Sequence, residues 1–81
     1  MDGRKIIGSQ LRDLRLQADL STAALAEKCS VGEGHIRNIE GKGDQPSGRL
    51  AYRLARVLGE VLNRDVSLND FSYETEQRDA A

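Results

Sequence analysis

Tryptophan is absent from this 81-residue chain, and proline, cysteine and phenylalanine occur once each. The lone Cys29 cannot close an internal disulfide, and a single histidine, His35, leaves no ligand set spaced for zinc. Neither a metal site nor a cofactor is therefore expected. No apolar run comes near the roughly 18 residues of a membrane span, and Met1 to Gly8 lacks the apolar core of a signal peptide. An unpaired thiol without an export signal suits a reducing, cytoplasmic compartment. Catalytic sets are missing too. No Ser/His/Asp or Cys/His group, paired carboxylates or glycine-rich phosphate loop can be assembled, Gly41-Lys42-Gly43 being too short. The sequence thus predicts no enzyme and no small-molecule substrate. An excess of charge of one sign is also missing, since 12 Lys and Arg meet 13 Asp and Glu for a net charge of -1. The distribution is uneven, however. Residues 1–64 carry 11 basic against 8 acidic side chains, a net of +3, while residues 65–81 carry Arg78 against Asp65, Asp70, Glu74, Glu76 and Asp79, a net of -4.

What is present is Leu, Ile, Val and Ala at helical intervals, in a chain sized for one core. Ile7, Leu11, Leu14 and Ala18 place one apolar face on a first helix, read as Arg4 to Ala18. Ser21 is placed to cap a second helix from Thr22 to Cys29, with Leu20 and Leu25 closing a hydrophobic staple. Val31 and Ile36 repeat that staple around Gly32, which predicts a third helix running to Glu40. Gly41 to Pro46 is rich in turn residues and leads to Ser47, a cap for a fourth helix. Leu50, Leu54, Val57, Leu58 and Val61 form its apolar face, and it ends near Asn63, leaving Arg53 and Arg56 on an ordinary outer face. Val66, Ser67, Asp70 and Phe71 fit a staple and a capping box around one further turn. The predicted fold is all-α, a compact four- to five-helix domain over residues 1–71 followed by an acidic, disordered tail at 72–81. Val61, Leu62, Leu68 and Phe71 offer more apolar surface than one small core needs, so a homodimer through the C-terminal helices is expected.

The second and third helices are joined by a turn of only a few residues. Two helices so joined pack at a steep angle only where a small side chain lets them approach, and Ala26 occupies that place. With Ile36 and Ile39 turned inward, Glu33, Gly34, Arg37 and Asn38 fall on or near the outer face, and His35 at its margin. That set suits the major groove of double-stranded DNA. Arg bonds guanine bidentately, Asn does so with adenine, and a carboxylate accepts from cytosine N4. Elsewhere the same side chains would simply be a solvated helix face, and His35 reads equally well as a surface residue. Thr22, Lys28, Lys42 and Arg49 lie at helix ends nearby, where phosphate contact competes with plain solvation.

Leu20-Ser21-Thr22-Ala23-Ala24-Leu25-Ala26-Glu27-Lys28, Ile36-Arg37-Asn38-Ile39-Glu40 and Pro46-Ser47 together resemble the Cro and phage-repressor (Xre-like) helix-turn-helix family over about Ile7 to Phe71. The resemblance implies a lambda-repressor-like fold of about five helices and a bacterial or phage-type transcriptional regulator. It also implies a third helix that reads bases through Glu33, Gly34, His35, Arg37 and Asn38, and a dimer on a pseudo-palindromic operator. In that family an arginine near the end of the first helix pairs with a glutamate closing the recognition helix, which implies a structural ion pair between Arg15 and Glu40. The chain departs from the pattern at Thr22, where Gln is usual, at Ser30, where Gly is usual, and by carrying Glu33 and Gly34 on the reading helix. The competing expectation is a protein-binding module on the same fold, such as an antirepressor, an accessory factor or an antitoxin.

Overall fold

The computed structural model describes residues 3–75. Its order is β1 (Gly3–Ile6), α1 (Gly8–Gln17), α2 (Thr22–Cys29), α3 (Glu33–Lys42), α4 (Gly48–Leu62), a 3-10 turn (Leu68–Asp70) and β2 (Ser72–Thr75). The domain is mostly helical, with four α-helices. Local chemistry explains where they begin. Ser21 Oγ accepts from the Ala24 N–H at 3.0 Å, and Ser47 Oγ accepts from the Leu50 N–H at 3.1 Å, satisfying donors that a helix start leaves open. Left-handed residues stop them, with Ser30, Gly43 and Asn63 ending α2, α3 and α4 at positive φ. After α4, the Ser67 N–H donates to Asp70 Oδ2 at 3.0 Å across the short turn.

Leu11, Leu25, Cys29, Ile36, Ile39, Leu54, Leu58 and Phe71 are fully buried and form one core. Each large apolar side chain removed from water in this way contributes about 1.5–3 kcal/mol, which is how helices this short hold together. Phe71 is the largest of them, and its burial removes it from the expected C-terminal dimer surface. Leu62 and Leu68 are half-buried against the same core, so of the four residues expected there only Val61 stands exposed. One small core uses that apolar surface after all, because the chain folds back past α4 and brings Phe71 into it.

The fold-back also corrects both ends of the sequence reading. Residues read as the first turn of helix one are strand β1, which pairs antiparallel with β2 from Gly3 opposite Thr75 to Ile6 opposite Ser72. The Ile7 N–H donates to the Phe71 carbonyl at 2.8 Å, where the ribbon meets the start of α1. Gln45, from the loop before α4, continues the ladder with its side chain. It accepts from the Ile6 N–H at 2.7 Å and donates to the Ile6 carbonyl at 3.2 Å. These partners outcompete helical hydrogen bonds for residues 4–6, since Ile6 is then buried and the ribbon packs on a finished core. Of the tail expected at 72–81, Ser72 to Thr75 are thus ordered strand, and residues 76–81 lie outside the described residues.

Candidate nucleic-acid interface

Only Ser30, Val31 and Gly32 separate α2 from α3. Ser30 makes the reversal by taking φ 62° and ψ 41°, which lets the Val31 N–H reach back to the Ala26 carbonyl at 3.0 Å. A side chain in that left-handed region costs about 1–2 kcal/mol that glycine avoids, although glycine gives back part of it as freedom in the unfolded chain. Ser30→Gly is therefore expected to raise stability by about 0.5–1 kcal/mol, seen as a higher urea midpoint with an unchanged slope. A lowered midpoint would assign Ser30 a stabilising contact that outweighs its backbone conformation.

Ala26 is 2% exposed where α2 meets α3, and Ile36 and Ile39 are fully buried. These three fix which way α3 faces. Gly34, His35 and Arg37 are exposed on its outer side, with Glu33 and Asn38 half-buried beside them. Nothing lies within 4 Å of where a Cβ on Gly34 would stand, so that part of the helix surface is open to an approaching groove.

Glu33 and Thr22, read separately from the sequence, are joined. Thr22 Oγ1 donates to Glu33 Oε2 at 2.7 Å, and Arg37 Nη2 donates to the same oxygen at 2.9 Å, one helical turn along α3. The Thr22 hydrogen bond, opposed by desolvation and aided by the charge and hydrogen bond of Arg37, holds the Glu33 carboxyl below its usual range. The bridge is therefore complete above the ordinary glutamate range and is lost as pH falls through the lowered value. In the free protein Thr22 is engaged with Glu33 rather than held out toward a phosphate, and Glu33 also suits the positive start of α3. Arg37 keeps most of its reach, its side chain being 67% exposed.

Lys28 lies in the last turn of α2, Lys42 in the last turn of α3 and Arg49 in the first turn of α4, and all three are exposed. Among the described residues none of them is in an ion pair. Behind the outward face of α3, Arg15 and Glu40 meet through two hydrogen bonds, Nε to Oε2 at 2.8 Å and Nη2 to Oε1 at 3.0 Å. Arg15 Nη1 also donates to the Leu20 carbonyl at 2.9 Å, so one guanidinium ties α1 to the end of α3 and to the loop before α2. The Glu40 hydrogen bond raises the Arg15 pKa still further.

Two roles were missing from the sequence reading. Gln45 is the ladder partner described above. Arg53, on the outer face of α4, is more than solvated: it donates through Nη1 to the Cys29 carbonyl at 3.0 Å and fastens α4 to the end of α2. Cys29 itself is buried and free, and burial pushes its thiol up against the opposing pull of Arg53 and Arg56, which suits a packing role. Among the described residues no group of three or more His, Cys, Asp or Glu is placed to hold a metal, and no helix is long and apolar enough to cross a membrane.

Two short helices, a three-residue turn and an outward face locked from within by Ala26, Ile36 and Ile39 define a helix-turn-helix protein. Residues 6–63 match the family described as helix-turn-helix domain, and the chain belongs to it. That membership implies DNA binding. Among curated proteins, none matches the chain.

Proposed function

We propose that the chain is a sequence-specific transcriptional regulator that reads the major groove of double-stranded DNA with α3. The observation that carries this is Arg37, exposed beside Asn38 on a helix whose other side is fixed by fully buried isoleucines. Arg37 fits guanine O6 and N7, Asn38 fits adenine N6 and N7, and His35 and Gly34 border them. Glu33 accepts from cytosine N4 or holds Arg37 at the angle the guanine edge needs. Lys28, Lys42 and Arg49, with Thr22 at the start of α2, meet the phosphates on either side. The Cro and phage-repressor resemblance supports the same assignment. On a two-half-site operator, two copies stand one DNA turn, about 34–36 Å, apart, with Phe71 kept in each core.

Base reading and backbone anchoring fail differently. Arg37→Ala or Asn38→Ala is expected to cost about 1–3 kcal/mol on the preferred site and little on random DNA, relaxing one base position each. Lys42→Ala or Arg49→Ala is expected to weaken all sequences alike and to flatten the salt dependence by about one unit each. Salt titrations of each variant on specific and random duplexes separate these outcomes. Equal losses on both duplexes for Arg37→Ala would make it a phosphate contact, and no effect from any of the four would favour the protein-binding module.

A further inference from the structure

The outer face of α4 forms a second surface to which α2 and α3 contribute no lining residue. Tyr52 stands at its centre, 68% exposed, with Arg49, Arg53 and Arg56 around it on one helical face. Next to Tyr52 a hollow of about 430 Å³ runs over Ala55, Val66 and Leu68 to Arg4. A neighbouring hollow extends this apolar floor across Pro46 and Ala51. Two of the arginines are held in place. Arg4 Nη1 donates to Asn69 Oδ1 at 2.9 Å and to Ser72 Oγ at 3.2 Å, and Arg53 is fixed on the Cys29 carbonyl. No carboxylate lines any of these three hollows, and Glu60 and Asp65 stand beyond Arg56 in a fourth.

We propose that this face docks an acidic segment of a partner protein that anchors itself with an apolar or aromatic side chain. The rim supplies guanidinium groups in the forked geometry that carboxylates take, and the floor supplies Tyr52, Ala55, Val66 and Leu68 for one buried anchor. Exposed tyrosine and arginine beside a small apolar hollow is the composition that concentrates binding energy at protein interfaces. A second copy of the chain meeting it through the same face would set arginine against arginine. A DNA backbone would use the arginines but leave the apolar floor without a partner. The surface is distinct from the base-reading set, and only Arg49 is shared with the phosphate contacts, so its test relies on Tyr52 and Arg56.

The full chain, isotope-labelled, is titrated at low salt with a short synthetic peptide of Asp and Glu carrying one Leu and one Phe. Resonances of Tyr52, Arg56 and Leu68 are expected to move while those of Arg37 and Asn38 stay. Tyr52→Ala and Arg56→Glu are each expected to weaken the peptide by about tenfold or more, with the melting temperature unchanged because both side chains are exposed. Arg37→Ala leaves peptide affinity untouched, whatever it does to DNA. Absence of binding, or equal binding by the parent and Arg56→Glu, overturns the proposal. So does displacement of the peptide by random duplex DNA together with weakened DNA binding in Tyr52→Ala, which assigns the face to phosphates. A dimer by light scattering that Tyr52→Ala dissolves overturns it as well, by assigning the face to a second copy.

Discussion

Glu40→Gln is expected to lower stability by about 3–5 kcal/mol, a large share of what a domain of this size possesses. The Arg15 and Glu40 side chains are 11% and 7% exposed, so water cannot replace the lost carboxylate. Glutamine keeps the shape but leaves the guanidinium charged and facing a neutral amide, while its bond to the Leu20 carbonyl still holds it in place. The pair joins α1 to the last turn of α3, and the damage should therefore reach the outward face of that helix. Thermal unfolding is the measurement, with about 4–8 °C lost for each kcal/mol in a chain this small. A double replacement, Arg15→Met with Glu40→Leu, supplies the comparison, because removing both charges together is often close to neutral. Glu40→Gln melting with the parent would show that the pair is solvated in solution.

Gly8→Ala is expected to cost about 3 kcal/mol for a steric reason. A Cβ on Gly8 would stand 2.5 Å from the Glu40 carbonyl oxygen, 2.6 Å from that of Ile39 and 3.0 Å from the Glu40 carbonyl carbon. All three are helix backbone, which cannot swing aside as a long side chain would. The first turn of α1 must back away from the end of α3, opening the core at Leu11 and disturbing the Arg15–Glu40 bonds beyond it. Gly34→Ala and Gly41→Ala are the controls, since a Cβ at either position meets nothing within 4 Å and both sit inside α3. Those controls are expected to match or exceed the parent in urea unfolding, as alanine favours helix over glycine by about 1 kcal/mol. Gly8→Ala unfolding at the same midpoint as Gly41→Ala would mean that α1 and α3 are not in contact there.

Helices α2, α3 and α4 were legible because their signals are local. Ser21 and Ser47 announce the starts, and the three-and-four spacing of Leu50, Leu54, Val57 and Leu58 marks the buried face without reference to the rest of the chain. The orientation of α3 was legible for the same reason, through Ile36 and Ile39. Strands β1 and β2 were not, because each is four residues long and is stabilised by a partner about seventy positions away. Phe71 looked like surplus surface for a similar reason, since its burial depends on the chain returning to α1. Within the candidate site, residue types pointed to the reading face, but periodicity within one helix cannot show contacts between helices. The Thr22–Glu33–Arg37 bridge and the grip of Arg53 on Cys29 are both contacts of that kind.

The ribbon that joins Gly3 to Thr75 also sets the order in which this domain can finish folding. A nascent chain emerges from the ribosome N-terminal end first, so the residues of β1 appear before the helices and wait for a partner that is made after them. Until Phe71 is released, the core lacks its largest side chain, and the Ile7 N–H lacks the carbonyl it finally bonds. Helices α2 and α3 are complete by then, yet the N-terminal end of α1 is still unfastened. Closure is therefore a late step of long loop span, and slowing it delays assembly of the whole domain without touching α2 or α3.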